Sequence, residues 1–204
     1  MADDFSRPLA VPIQGSAMAR NLLLLLGWRV NMDGLPARQG VIIVYPHTSN
    51  WDFIILLIAK WAVGLPLKFW GKDSLFALPV FGRWLRYVGG VPVRRDSPRG
   101  VVGDMVRTLE QCRQNNTFFW LALAPEGTRK RVPGWRSGFY QVAVGAHVPL
   151  GICRLNYADK TIDVSHFLQL SGDAASDMQR IAGLLATASG KRPELAAPIQ
   201  LIQK

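Results

Sequence analysis

A chain of 204 residues has room for one domain and can bury a core without disulfide or metal staples. Lys and Arg number 24 against 14 Asp and Glu, a formal charge of +10 that favours anionic partners: nucleic acid, lipid headgroups or phosphorylated small molecules. Two cysteines and three histidines are too few for a disulfide framework or a zinc cluster. The apolar runs at residues 22–28, 53–59 and 118–124 fall far short of the roughly 20 residues that a spanning helix needs, so any membrane contact is expected to be peripheral. The first residues (MADDFSRPLA) are acidic before they are apolar and lack the basic start of a signal peptide, so a reduced, cytoplasmic setting is expected.

In chain order, residues 1–40 read as an apolar arm followed by a turn-rich loop. The arm is interrupted by Pro12, Gly15 and Arg20, its last part can form a short helix, and the loop is NMDGLPARQG. Residues 41–190 read as the main domain. VIIVY at 41–45 is a continuous β-branched run of the kind found in buried parallel strands. Residues 50–63 predict a helix that is apolar nearly all round. Residues 67–70 predict a short strand, 78–87 a helix after Pro79, and 91–93 a brief strand. The clearest helix spans 98–114, with proline near its start and Val101, Val102, Met105, Val106 and Leu109 at helical spacing. A second buried strand follows at 117–124, then a helix over 135–146, strands at 148–155 and 161–164, and a helix over 174–187. Residues 191–204 read as a weakly ordered tail. Strand–helix alternation of this kind predicts an α/β fold, a single domain with a mixed, partly parallel sheet flanked by helices.

Open α/β sheets bind ligands beyond the carboxyl ends of their strands, and two strand ends carry unusual residues. PHTSNWD follows VIIVY directly, and PEGTR follows FFWLALA. Parallel strands would bring both clusters to one rim. In the first, His47 leaves the strand, Ser49 or Asn50 can cap the next helix, and Asp52 falls in its first turn. From there a carboxylate can reach back to the imidazole, fix its tautomer and stabilise the imidazolium. A His–Asp pair without an adjacent nucleophile suits direct deprotonation of a substrate hydroxyl. The plainer alternative is a loop histidine beside an aspartate that serves only the helix dipole. In the second cluster, Gly127 permits close backbone approach, Thr128 offers a hydroxyl and Arg129 a planar fork for phosphate. Glu126 can orient that arginine or accept from a glycerol hydroxyl, and a charged surface turn is again the plainer alternative. A third segment, GGVPVRR at 89–95, can aim Arg94 or Arg95 into a cleft.

Together these segments resemble the glycerolipid acyltransferase family, which includes the bacterial 1-acylglycerol-3-phosphate acyltransferases. The first motif of that family, His-x4-Asp, matches His47 and Asp52. Its second places Gly89 and Arg95, and its third, Pro-Glu-Gly-Thr-Arg, matches residues 125–129 without change. A fourth is met in part by Val148 and Pro149, since a second proline expected shortly afterwards is missing. The matched region runs over about residues 41–155. The resemblance implies a glycerol-3-phosphate acyltransferase-like fold and an O-acyltransferase in which His47 is the general base, partnered by Asp52. It implies that Arg95, Glu126, Gly127, Thr128 and Arg129 bind the acceptor phosphate and nearby polar groups. The donor would be acyl-CoA or acyl carrier protein, with no metal and no resident cofactor, and the acceptor a lysophospholipid, lysophosphatidate first and an amino-acid-containing lysolipid second.

The charge pattern agrees. Residues 67–107 hold eight Lys/Arg against three Asp, and residues 125–140 hold four against Glu126, so the excess flanks the site. Phe69, Trp70, Phe76, Phe81 and Trp84 interleave with these charges and are expected to rest on an anionic membrane, at its inner face, with ordinary core aromatics as the plainer alternative for each singly. A nucleic-acid-binding module would share the charge and the aromatic residues but not the ordered motifs. No Gly-x-Ser-x-Gly marks a serine hydrolase, and residues 64–72 lack the glycine spacing of a P-loop. A catalytically silent lipid-binding scaffold is the remaining rival, against which the intact His47 and Asp52 argue.

Overall fold

The structure is a computed structural model that describes residues 11–12, 14–93 and 100–202. In chain order its elements are β1 (Val11–Pro12), α1 (Ala17–Leu25), β2 (Arg29–Asn31), β3 (Gly34–Leu35), β4 (Gln39–Tyr45), α2 (Asn50–Val63), β5 (Lys68–Lys72), α3 (Asp73–Phe76), α4 (Pro79–Tyr87) and β6 (Gly90–Val93). There follow α5 (Gly100–Gln114), β7 (Phe119–Leu123), α6 (Gly138–Gly145), β8 (Leu150–Asn156), β9 (Thr161–Leu168), α7 (Ala174–Leu184) and a 3-10 turn at Pro193–Leu195.

Seven strands form one sheet in the order β2-β9-β8-β4-β7-β5-β6. Strands β4 to β8 run parallel, whereas β9 is antiparallel to β8 and carries β2 alongside in its own direction. The mixed, mostly parallel sheet is the expected one. β4 lies at its centre and is buried at every residue, because both of its faces are covered. Alternate side chains divide between two cores, as the two-residue strand period requires. Val41, Ile43 and Tyr45 pack with α5, α6 and α7, while Ile42 and Val44 pack with α1 and α2. Gly40 is dictated by contact: a Cβ there would lie 2.4 Å from the Trp120 ring.

This layering positions the site. β4 and β7 are adjacent and parallel, in register from Gln39 opposite Phe119 to Ile43 opposite Leu123. The helix that follows β4 (α2) covers one face of the sheet, and the helix that follows β7 (α6) covers the other. The chain therefore parts at the carboxyl ends of these strands, which is where an α/β sheet opens a crevice.

The described part of the arm, which the sequence divides from the main domain at residue 40, lies on that domain. α1 packs on α2, Ser16 donates its N–H to Trp61 O at 2.9 Å, Trp28 is buried, and β2 adds an edge strand to the sheet. Three expectations change. The tail is not loose, since Trp135 and Gln200–Ile202 exchange backbone hydrogen bonds of 2.7 and 2.9 Å. That pairing also moves the start of α6 from Trp135 to Gly138. Finally, Phe76 is not on a lipid-facing surface. It is buried at the end of α3, where Gly71, Gly82 and Gly90 make room for it.

Candidate active site

The chain leaves β4 at Tyr45 and enters α2 at Asn50 after four intervening residues. Ser49 is the N-cap: its backbone is extended and its Oγ accepts from Trp51 N at 3.2 Å. In return Asp52 Oδ2 accepts from Ser49 N at 2.8 Å, which completes a capping box. The same oxygen accepts from Thr48 N at 2.9 Å and lies 3.1 Å from His47 Nδ1. The ring N–H is not aligned for a formed hydrogen bond to it, so the His47–Asp52 contact is chiefly electrostatic. Asp52 thus closes the capping box and also lies beside the imidazole.

The other oxygen of Asp52, Oδ1, accepts from the Tyr157 hydroxyl at 2.6 Å. Asp52 has no exposed surface. Burial pushes its pKa up, but the close contact with His47 and the hydrogen bonds from Tyr157 and Ser49 outweigh that, and the carboxyl is held below its ordinary value. It remains ionised at neutral pH. The same contact pushes the Tyr157 phenol far up, behind the effect of its own burial, so it stays a donor. With Nδ1 turned to the carboxylate, Nε2 is the nitrogen left to act on a substrate, and the His47 side chain keeps 16% of its surface exposed.

The second loop meets the first through Glu126, which is only 2% exposed. Its Oε2 accepts from His47 N at 2.5 Å and its Oε1 from Ala197 N at 3.0 Å. Burial pushes the pKa of Glu126 up, partly offset by those two amides. The carboxylate therefore ties the His47 backbone to the C-terminal segment rather than pointing outward. Beyond it the loop turns to the surface. Gly127 has φ +67, and a Cβ there would lie 3.0 Å from Arg136 Nε, so glycine allows the Arg136 side chain to lie against the turn. Thr128 Oγ1 accepts from Lys130 N at 3.3 Å, and Arg129 and Arg136 are exposed. The structure brings His47, Asp52 and Glu126 together, with Gly127, Thr128 and Arg129 following in the same loop. Arg95 lies outside the described residues.

Two participants carry no sequence signal. One is Tyr157, in the turn after β8. The other is the C-terminal segment: Arg192 N donates to Thr48 Oγ1 at 3.2 Å, Tyr45 Oη donates to Ala197 O at 2.9 Å, and Lys191 Nζ sits 5.1 Å from the centre of the Trp51 ring. Gly190 is required there, because a Cβ would lie 2.6 Å from Thr48 Oγ1. A thiol nucleophile is not offered by Cys153, which is buried and pushed up to about 12 by that burial and by Asp163. A buried carboxylate, an imidazole with one free nitrogen and exposed cations beyond it can take a proton from a hydroxyl held by an anionic group.

Comparison with known proteins supplies a family. A family model described as Acyltransferase matches residues 29–153. A chloroplastic 1-acyl-sn-glycerol-3-phosphate acyltransferase of Arabidopsis thaliana is 28% identical over 123 residues, which is 57% of this chain and 33% of that protein. Its counterpart in Brassica napus is 30% identical over 123 residues, 58% of this chain and 34% of the relative. The 1-acyl-sn-glycerol-3-phosphate acyltransferase of Streptococcus pneumoniae is 31% identical over 87 residues, 39% of this chain and 32% of that protein. The matches thus span about a third of the length of these curated relatives. Among solved structures, the 1-acyl-sn-glycerophosphate acyltransferase of Thermotoga maritima superimposes with a TM-score of 0.53 at 17% identity, covering 82% of this chain and 73% of that one; this likeness is one of fold.

Proposed function

This chain belongs to the acyltransferase family, and we propose that it moves a fatty acyl group from a thioester, acyl-CoA or acyl carrier protein, onto the hydroxyl of a lysophosphatidate-like acceptor. The observation that carries this reading is the His47–Asp52 pair, held at the carboxyl rim of parallel strands with one imidazole nitrogen left over and, among the described residues, no Ser or Cys side chain hydrogen-bonded to the ring. His47 Nε2 takes the hydroxyl proton as the acceptor oxygen attacks the thioester carbonyl. The resulting imidazolium is stabilised by Asp52, which stays a carboxylate. Collapse of the tetrahedral intermediate breaks the C–S bond, and the proton returns from His47 to the departing thiolate. Arg129 and Thr128, with Arg95 by resemblance, hold the acceptor phosphate, and Glu126 holds the His47 backbone in place.

The same reading includes peripheral contact with an anionic membrane, at the inner face where the thioester donors are found. Large apolar side chains stand exposed on α1 (Met18, Leu25), α2 (Trp51, Ile54, Trp61) and α4 (Val80, Phe81, Trp84, Tyr87). Phe53 on α2 packs edge-on against Trp84, which continues the apolar surface from one helix to the next. Arg83 and Arg86 lie on the same helix as four of these residues. Apolar side chains beside arginines fit a lipid–water interface. Among the described residues no helix is long and apolar enough to cross a membrane.

The test is to incubate purified protein with acyl-CoA or acyl carrier protein thioester and a panel of lysolipids, and to follow products by mass spectrometry. Conversion of lysophosphatidate to phosphatidate is expected. Acylation of an amino-acid-containing lysolipid instead would move the acceptor assignment, and no thioester turnover on any acceptor would end the proposal.

A further inference from the structure

We infer that Tyr157 is a positioning residue for acyl transfer: its hydroxyl holds Asp52 Oδ1 so that Oδ2 stays turned to His47. This rests on the general-base reading above and adds a residue that lies beyond the family match, which ends at residue 153. The two oxygens of Asp52 are unequally served. Oδ2 faces the Thr48 and Ser49 amides and the imidazole, whereas Oδ1 accepts from Tyr157, 105 residues further along the chain. The amides fix where Oδ2 sits but leave the carboxylate free to turn about the axis through it. A donor on Oδ1 removes that freedom.

Tyr157 is itself anchored from both ends of the chain. Its ring packs edge-on against buried Trp28 at 4.8 Å and 87°, and its N–H donates to Ser189 O at 2.8 Å. Ser189 in turn donates to Leu155 O at 3.2 Å, and Asn156 bridges to Ser189 beside β8. The hydroxyl is therefore delivered by a rigid seat rather than a mobile side chain. Its effect on the dyad is also electrostatic. A short O–H···O contact draws negative charge toward Oδ1, away from the oxygen that faces the imidazole. The titratable groups about Asp52 are His47, Tyr157 and Glu126, and of these Tyr157 meets it as a hydroxyl donor.

The experiment compares kcat, KM and the pH profile of the parent chain with those of Tyr157→Phe, which keeps the ring on Trp28 and removes the hydroxyl. Expected are a kcat about tenfold lower, as for loss of one hydrogen bond to a charged group, and KM values for donor and acceptor within about twofold of the parent. The acid limb of the kcat profile should move to higher pH, because an unshared Asp52 charge holds the imidazolium more firmly. Trp28→Phe, which loosens the seat and leaves the hydroxyl present, should give the same direction with a smaller size. Parental kcat and an unmoved acid limb in Tyr157→Phe would show that the tyrosine only fills space. His47→Ala is run alongside. If it is inactive, a parental Tyr157→Phe overturns this inference alone, whereas turnover by His47→Ala overturns the general-base reading itself.

Discussion

The two loops at the carboxyl rim of the sheet are built on opposite plans. From His47 to Asp52 polar groups are held from several directions: Glu126 takes the His47 amide, Asp52 takes the next two, and Arg192 reaches Thr48 from the C-terminal segment. In the neighbouring loop Pro125 and Glu126 are buried, Thr128 is half-buried, and Gly127 and Arg129 are exposed. The first arrangement suits a proton transfer, which loses rate when the reacting atoms move by an ångström. The second suits recognition of a flexible, charged headgroup, whose binding can order the arginine when it arrives. Rigid chemistry beside adjustable recognition is the division we propose for this rim.

The sharpest way to break that division is at the base. His47→Ala removes the imidazole while leaving its backbone amide on Glu126, so the fold should hold. Thioester turnover should fall to background, a loss at least as large as the about 10²–10⁴-fold value of general-base help, with the thermal midpoint close to that of the parent. A rate near the parental one would remove His47 from the mechanism.

Asp52→Asn comes next, with turnover lowered by about 10³-fold by analogy with triad carboxylates. It also has a pH signature. The Asp52 carboxyl is lowered from 3.8 in the folded protein, so its ionisation stabilises the fold above that pH, and this contribution is lost as pH falls through the lower folded value. The difference in thermal midpoint between parent and variant should therefore be full near neutrality and narrow below about pH 4. A gap that widens in acid would show that Asp52 is not held ionised by its partners.

Glu126→Gln probes the tie between the loops. An amide in place of the carboxylate must turn its NH2 toward one of two backbone donors, the amides of His47 and Ala197, at a cost of about 1–3 kcal/mol. The thermal midpoint should drop by about 3–10 °C for a chain of this size. kcat should fall more than KM rises, because the group displaced carries the imidazole. An acceptor KM that rises with kcat intact would instead place Glu126 on the substrate.

Much of this rim is legible in the chain before folding, for identifiable reasons. VIIVY announces a central strand because a run buried on both faces has no polar residues to alternate. Residues 50–63 match α2 at both ends, since Ser49 offers a cap and Gly64 can take the left-handed turn at φ +74 that closes the helix. That both clusters share a rim follows from two runs of the same type joined by helices. What stays hidden depends on groups that leave no pattern. Arg192 and Ala197 reach the site through backbone N–H groups, which nearly every residue has, so the segment around them reads as a loose tail. Strands of two or three residues such as β2 and β3 are too short to show a period. Phe76 and Trp84 look alike between charges, yet glycines admit one to the core and leave the other at the surface.

Arg129 tests the adjustable side of the comparison, and its effect should be the smallest. The side chain is exposed and the turn before it is closed by backbone contacts, Gly127 N to Ala124 O at 3.1 Å and Arg136 N to Pro125 O at 2.9 Å. Arg129→Ala should therefore leave the thermal midpoint and kcat unchanged. A solvent-exposed guanidinium gains little from an anion in water, so the acceptor KM should rise only severalfold, about fivefold, and less at high salt. Arg136, which lies against Gly127, is placed to substitute in part, so Arg129→Ala combined with Arg136→Ala should exceed the product of the single effects. Steady-state kinetics against lysophosphatidate at two salt concentrations check this. A fall in kcat with KM unchanged would mean that Arg129 meets charge developing in the transition state, and that the outward loop shares the chemistry it was thought only to feed.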